Sequence, residues 1–181
     1  MKPILRMCLL TVAAGVLIPV LGPSAQILRP GDGADGEILE IERVVRMWLA
    51  LPVDRETAFD AWTEAAHLVE WLPHWAEMQV AEGSEFSMGW DGYEGVWKGT
   101  YLEVDRPERL VFTWVVPEGV FPSGSYETVV ALTFEEVEDG RTSLLLEHSG
   151  FRESGELESQ LQAWRGYMFA LRAHLLRPAA E

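Results

Sequence analysis

A chain of 181 residues makes one domain the default and is long enough to bury a core without staples. Its formal net charge of −15 argues against nucleic acid or an anionic membrane surface as the main partner, since both are bound through basic patches. The only cysteine, Cys8, excludes a disulfide framework within the chain.

Residues 1–25 read as a targeting segment. Lys2 and Arg6 give a basic start, Met7 to Leu21 is apolar but broken by Gly15 and Pro19, and Gly22, Pro23, Ser24 and Ala25 are small or turn-forming. The apolar run falls short of the ~20 residues of a spanning helix, and Pro19 weakens it further. A signal peptide is therefore expected, with export to a periplasm or beyond the cell. The alternatives are an uncleaved N-terminal anchor, the only membrane contact foreseen, or a mis-called start codon and a cytoplasmic protein. Residues 26–37, with RPGDGADG, read as a flexible linker. One domain is expected over residues 38–178.

Within it, IERVVRMWLAL (41–51) is rich in β-branched and aromatic residues and predicts a strand. Pro52 breaks it. Asp54 is placed to cap a helix that runs to Thr63 and buries Ala58, Phe59 and Trp62. A second short helix is expected over residues 64–71, with Pro73 behind it. Strands are expected over residues 77–80, 85–90, 96–104, 109–116, 126–137 and 141–148, with Asp139-Gly140 as a hairpin turn. In GTYLEVDRPERLVFTW (99–114), Leu102 and Val104 alternate with Tyr101, Glu103 and Asp105, and Pro107 sits in a polar turn. Leu110, Phe112 and Trp114 then share one face. Finally, Leu157, Leu161, Trp164, Met168, Leu171 and Leu175 recur at spacings of four and three, one apolar stripe on a long helix. Gly166 is a weak point in that helix, read as permitting close packing. The order is strand, two helices, a run of antiparallel strands, one long helix. That is an α+β fold in which the helix covers the apolar face of a sheet.

Four segments carry a family resemblance: ALPVDRETAFDAWTEAAHLVEWL (50–72), residues 99–114, GRTSLLLEHSGF (140–151) and AWRGYMFALRAHL (163–175). In this order and spacing they resemble the family named after the activator of the heat-shock-protein-90 ATPase. That family belongs to the SRPBCC group of START-like and birch-allergen-like domains. The resemblance covers roughly residues 40–177. It implies a helix-grip fold: a curved antiparallel sheet wrapped on a long C-terminal helix, two short helices after the first strand, and often a cavity between helix and sheet. It does not specify function, because this fold hosts lipid carriers, cyclases, stress proteins and co-chaperones.

The domain holds eight tryptophans. Such an inventory either lines a pocket for an apolar or planar ligand or packs core and rim. Strand parity turns Phe112 and Trp114 inward, and the helix stripe brings Trp164, Met168 and Leu171 against them. Leu144, Leu146 and His148 share the face of their strand that should meet the helix. At the rim of a pocket His148 would anchor a polar head or work as an acid or base near neutral pH; at a strand end it would instead bond backbone. With Trp71 and Trp90 added, the expected ligand-binding set is Trp71, Trp90, Phe112, Trp114, Leu146, His148, Trp164, Met168 and Leu171. No metal site is expected, since His67 and His74 are seven apart with no cysteine partner. No cofactor is expected either: no glycine-rich phosphate loop opens a helix, and Ser149-Gly150 lacks a nucleophile elbow.

Three functions follow. The first is non-catalytic binding of a small hydrophobic or aromatic molecule under the C-terminal helix. The second is a cyclase or hydrolase for a polyketide-like or aromatic substrate, with His148 and either Tyr101 or Tyr167 as its polar groups. The third, regulation of a chaperone ATPase, is implied only by the family name. In the co-chaperone, activation depends heavily on a separate N-terminal domain, and an exported protein would not meet a cytosolic chaperone.

Overall fold

The computed structural model describes residues 43–177, so the expected targeting segment (1–25) and linker (26–37) lie outside the described residues. Seven strands run in chain order: β1 (Val44–Leu51), β2 (Trp75–Met78), β3 (Glu85–Gly89), β4 (Trp97–Asp105), β5 (Arg109–Val115), β6 (Glu127–Val137) and β7 (Arg141–Ser149). Helices α1 (Arg55–Thr63) and α2 (Ala65–Leu68) follow β1, and α3 (Ser154–Leu175) closes the domain. The sheet order is β1-β7-β6-β5-β4-β3-β2, and every neighbouring pair is antiparallel. This is the helix-grip arrangement.

The local chemistry accounts for most boundaries. The Thr57 backbone N–H donates to Asp54 Oδ1 at 2.8 Å, so Asp54 caps α1. The apolar side of α1 then buries Ala58, Phe59, Ala61 and Trp62, and Phe59 meets Phe134 of β6 edge to face with ring centroids 5.4 Å apart. Each such ring, fully buried, stabilises the fold by roughly 2–3 kcal/mol. Between β6 and β7, Asp139 and Gly140 both take positive φ, +66° and +67°, which suits a tight hairpin reversal.

Several expectations need correction, and the strand expected over residues 77–80 lies at Trp75–Met78. The second helix is a single turn, Ala65–Leu68, rather than residues 64–71. On β4 the alternation is broken. Tyr101 pairs with Phe112 but Glu103 pairs with Val111, so one extra residue bulges between them. The bulge turns Tyr101 into the core, leaves Leu102 half exposed, and still lets Val104 pack inward. Gly166 sits on the exposed side of α3, and an added Cβ would meet nothing within 4 Å, so close packing does not explain it.

The stripe on α3 is also displaced at its start. Trp164, Met168 and Leu171 are buried as expected, but the buried line continues upward through Gln160 and Glu156, leaving Leu157 and Leu161 only partly covered. Glu156 tolerates burial because its partners are built in. Tyr126 Oη–H donates to Glu156 Oε2 at 2.5 Å, and the backbone N–H groups of Ser123 and Glu153 donate at 3.2 and 3.1 Å. Glu153 and Glu156 together form a reciprocal capping box that starts the helix.

Candidate functional site

The three helices divide the concave face of the sheet. α3 lies against β1, α1 against β6 and β7, and α2 against β2. Between the helices and the middle of the sheet, large side chains fill the space. Trp164 of α3 packs between Trp62 of α1, at 6.1 Å between ring centroids, and Trp114 of β5, at 5.6 Å.

His148 lies inside this packing, not at a rim; none of its surface is exposed. Trp164 Nε1–H donates to His148 Nδ1 at 2.9 Å, which makes Nδ1 the acceptor and leaves the ring proton on Nε2. His148 Nε2–H then donates to Thr128 Oγ1 at 2.8 Å, and the Thr128 hydroxyl donates to the Trp114 carbonyl at 2.7 Å. Every donor in this relay from Trp164 to the Trp114 carbonyl has an acceptor. Burial pushes the imidazole pKa down to about 3, so the ring is neutral throughout the physiological range. Both ring nitrogens are engaged, which ties α3 to β7 and β6 and leaves no free lone pair for a substrate proton.

Beside the tryptophan cluster is a narrow cavity of about 10 Å³. Trp62 of α1, Leu68 of α2 and Leu72 line one side. Phe86 and Met88 of β3, Tyr101 of β4, and Leu110, Phe112 and Trp114 of β5 line the other. All nine residues are buried, and none carries a formal charge at neutral pH. Burial raises the Tyr101 phenol far above its usual range, which keeps it protonated. The indole donors here are treated unequally. Trp71 Nε1–H reaches the Ala61 carbonyl at 3.0 Å, and Trp164 Nε1–H reaches His148. The indole N–H groups of Trp62 and Trp114 find no acceptor among the described residues.

Of the expected ligand-binding set, Phe112 and Trp114 line this cavity. Leu146 and His148 of β7 and Trp164, Met168 and Leu171 of α3 are buried without bordering it. Trp71 stands behind Trp62, edge to face at 4.7 Å. Trp90 belongs to an aromatic column that leads outward. Trp164 meets Tyr167 at 5.8 Å, Tyr167 stacks on Trp90 at 6.1 Å, Trp90 meets Trp97 at 4.5 Å, and Trp97 meets Tyr93 at 5.3 Å. The expected ligand-binding set left out Phe86 and Met88, although their alternation along β3 was visible, and Trp62, Leu68, Leu72 and Leu110; Tyr101, named only as a polar group for the enzymatic alternative, also borders the cavity.

A larger open groove of about 650 Å³ lies on the opposite face of the sheet, bordered by Glu77, Glu85, Lys98, Thr113 and Glu127 among others. It is wide and polar, and Thr113 Oγ1, its most buried hydroxyl, already accepts the Thr100 backbone N–H at 2.9 Å. Among the described residues no three His, Cys, Asp or Glu side chains are grouped to hold a metal ion.

Comparison with known proteins bears on the whole domain. The family model described as activator of Hsp90 ATPase homolog 1-like protein matches residues 52–175. Comparison with curated proteins gave no match. Protein MLL2253 from Mesorhizobium loti superposes with a TM-score of 0.68 at 24% identity, over 76% of this chain and 99% of that one. An HSP90 activator from Plasmodium falciparum gives 0.60 at 22%, over 75% and 97% of the two chains. CalU16 from Micromonospora echinospora gives 0.61 at 21%, over 74% and 76%. At these identities the likeness is one of fold.

Proposed function

Because the chain belongs to the activator of Hsp90 ATPase homolog 1-like family, on the SRPBCC helix-grip fold, we propose that it binds a small hydrophobic or aromatic molecule inside the grip without transforming it. The observation that carries this reading is the cavity itself: nine buried, predominantly apolar side chains drawn from α1, the α2 region and three strands converge on one space. Its 10 Å³ equals about one water molecule, so a ligand enters by displacing walls. The walls suited to this are Leu68 and Leu72, carried by a one-turn helix without a side-chain N-cap and the segment after it, and Met88, whose unbranched side chain adapts readily.

The enzymatic alternative, a cyclase or hydrolase, needs polar groups free to move protons at the ligand. His148 is the buried imidazole nearest to that role, and its two nitrogens are committed to Trp164 and Thr128. This disfavours catalysis and supports binding.

The test is native mass spectrometry of the protein isolated gently from its own source, compared with the same sample denatured. A stoichiometric mass lost on denaturation is expected and would identify the ligand class. A folded protein that carries no extra mass, and whose tryptophan emission is unmoved by a panel of neutral aromatic probes, would overturn the reading.

A further inference from the structure

The two orphaned indoles say what a ligand must carry, an inference that rests on the binding reading above and extends it. Trp62 is 3% exposed and Trp114 2%, and both border the cavity. They come from different elements, α1 and β5, and both pack at a tilt against the same neighbour, Trp164. A buried N–H without an acceptor is rare and destabilising, because its desolvation is never offset. The neighbouring Trp71 and Trp164 show that this part of the fold does satisfy its indoles when nothing else is to be bound. Both exceptions fall on the cavity lining.

The size of the space agrees. About 10 Å³ suits a single oxygen atom and little more. The lining has no lysine, arginine or histidine, so a carboxylate there would be a buried charge without a counter-ion. The unpartnered groups are donors and so require an acceptor.

We propose that the cavity seats the uncharged acceptor oxygen of a ketone, ester or ether on an aromatic or alicyclic body, with Trp62 and Trp114 donating their indole N–H groups to it. The body of the ligand then occupies the space that Leu68, Leu72 and Met88 give up. The site is selective for neutral, oxygen-bearing hydrophobes over both pure hydrocarbons and acids.

The experiment uses the full chain, ¹⁵N-labelled at its tryptophan indoles, and three probes of matched shape: 2-acetylnaphthalene, 2-ethylnaphthalene and 2-naphthoate. The ketone should bind about tenfold to a hundredfold more tightly than the hydrocarbon, the worth of two net hydrogen bonds, and more tightly still than the acid. The Trp62 and Trp114 indole proton signals, assigned from Trp62→Phe and Trp114→Phe, should move downfield with the ketone only. Each variant should lose most of the ketone's advantage while still binding the hydrocarbon. If ketone and hydrocarbon bind equally and the two signals do not separate them, the acceptor inference is overturned and the binding reading survives; an occluded water answering both indoles gives this result. If none of the probes binds, both fail. Should a variant not fold, the wild-type comparison of ketone and hydrocarbon decides alone.

Discussion

Acidification should weaken this protein through His148, and the size of the effect follows from its surroundings. In the unfolded chain the imidazole takes up a proton near pH 6.5; in the folded protein burial holds that event down to about pH 3. A folded pKa below the unfolded one means that stability is fully present above 6.5 and is lost progressively as pH falls toward 3. At ~1.36 kcal/mol per pH unit, the loss by pH 4 is about 3 kcal/mol. The chain also has 29 carboxylates, which titrate in the same acid range. The measurement is therefore a difference against His148→Gln, which cannot take the charge. At pH 7 this variant should be less stable by about 1–3 kcal/mol, since it strands the Trp164 indole N–H. Urea unfolding followed by far-UV circular dichroism at pH 7, 6, 5 and 4 should show the gap shrinking by about 3 kcal/mol and closing or reversing. A gap that stays constant from pH 7 to 4, or a folded-state imidazole that titrates near 6.5 by NMR, would refute the neutral locked histidine.

Other substitutions test the framework around the site. Gly99→Ala should cost about 3 kcal/mol in urea unfolding, because its Cβ would overlap the Thr113 carbonyl oxygen and the Phe86 ring; a change below about 1 kcal/mol would contradict the close strand approach. Gly166→Ala should raise Tm by about 2–5 °C, since the position is helical, exposed and open; a lower Tm would mean that the glycine is required. Tyr126→Phe removes the donor at 2.5 Å from Glu156 and the acceptor of the Arg152 N–H at 3.0 Å, and should destabilise by about 1–3 kcal/mol, with thermal melts near wild type counting against it.

The fold was legible because its signals are local. The inward parity of Leu110, Phe112 and Trp114 and the helical spacing of Trp164, Met168 and Leu171 each follow from a few neighbouring residues. What was hidden depends on pairs far apart in the chain. The β4 bulge shows only in its pairing with β5, so the face taken by Tyr101 could not be read from β4 alone. The inner face of His148 was readable, whereas its partners Thr128 and Trp164 stand on another strand and a helix. The cavity position was least accessible, because it depends on where α1 and α2 come to rest on the sheet. Burial at Trp62 was foreseen from its helix, but its neighbours in space were not.

The sheet order carries a consequence for how the chain assembles. From β2 to β7 each strand pairs with its neighbour in sequence, so this meander grows by local hairpins as the chain emerges. β1 is the exception: first among the described strands, it pairs with the last, and Arg46 meets Glu147 across 101 positions. During synthesis β1 waits, with Trp48 on one face and Val45 and Leu49 on the other, until β7 exists to receive it. Pairing β1 with β7 therefore closes a far longer loop than any hairpin of the meander and joins distant parts of the chain, a non-local contact of the kind that slows folding.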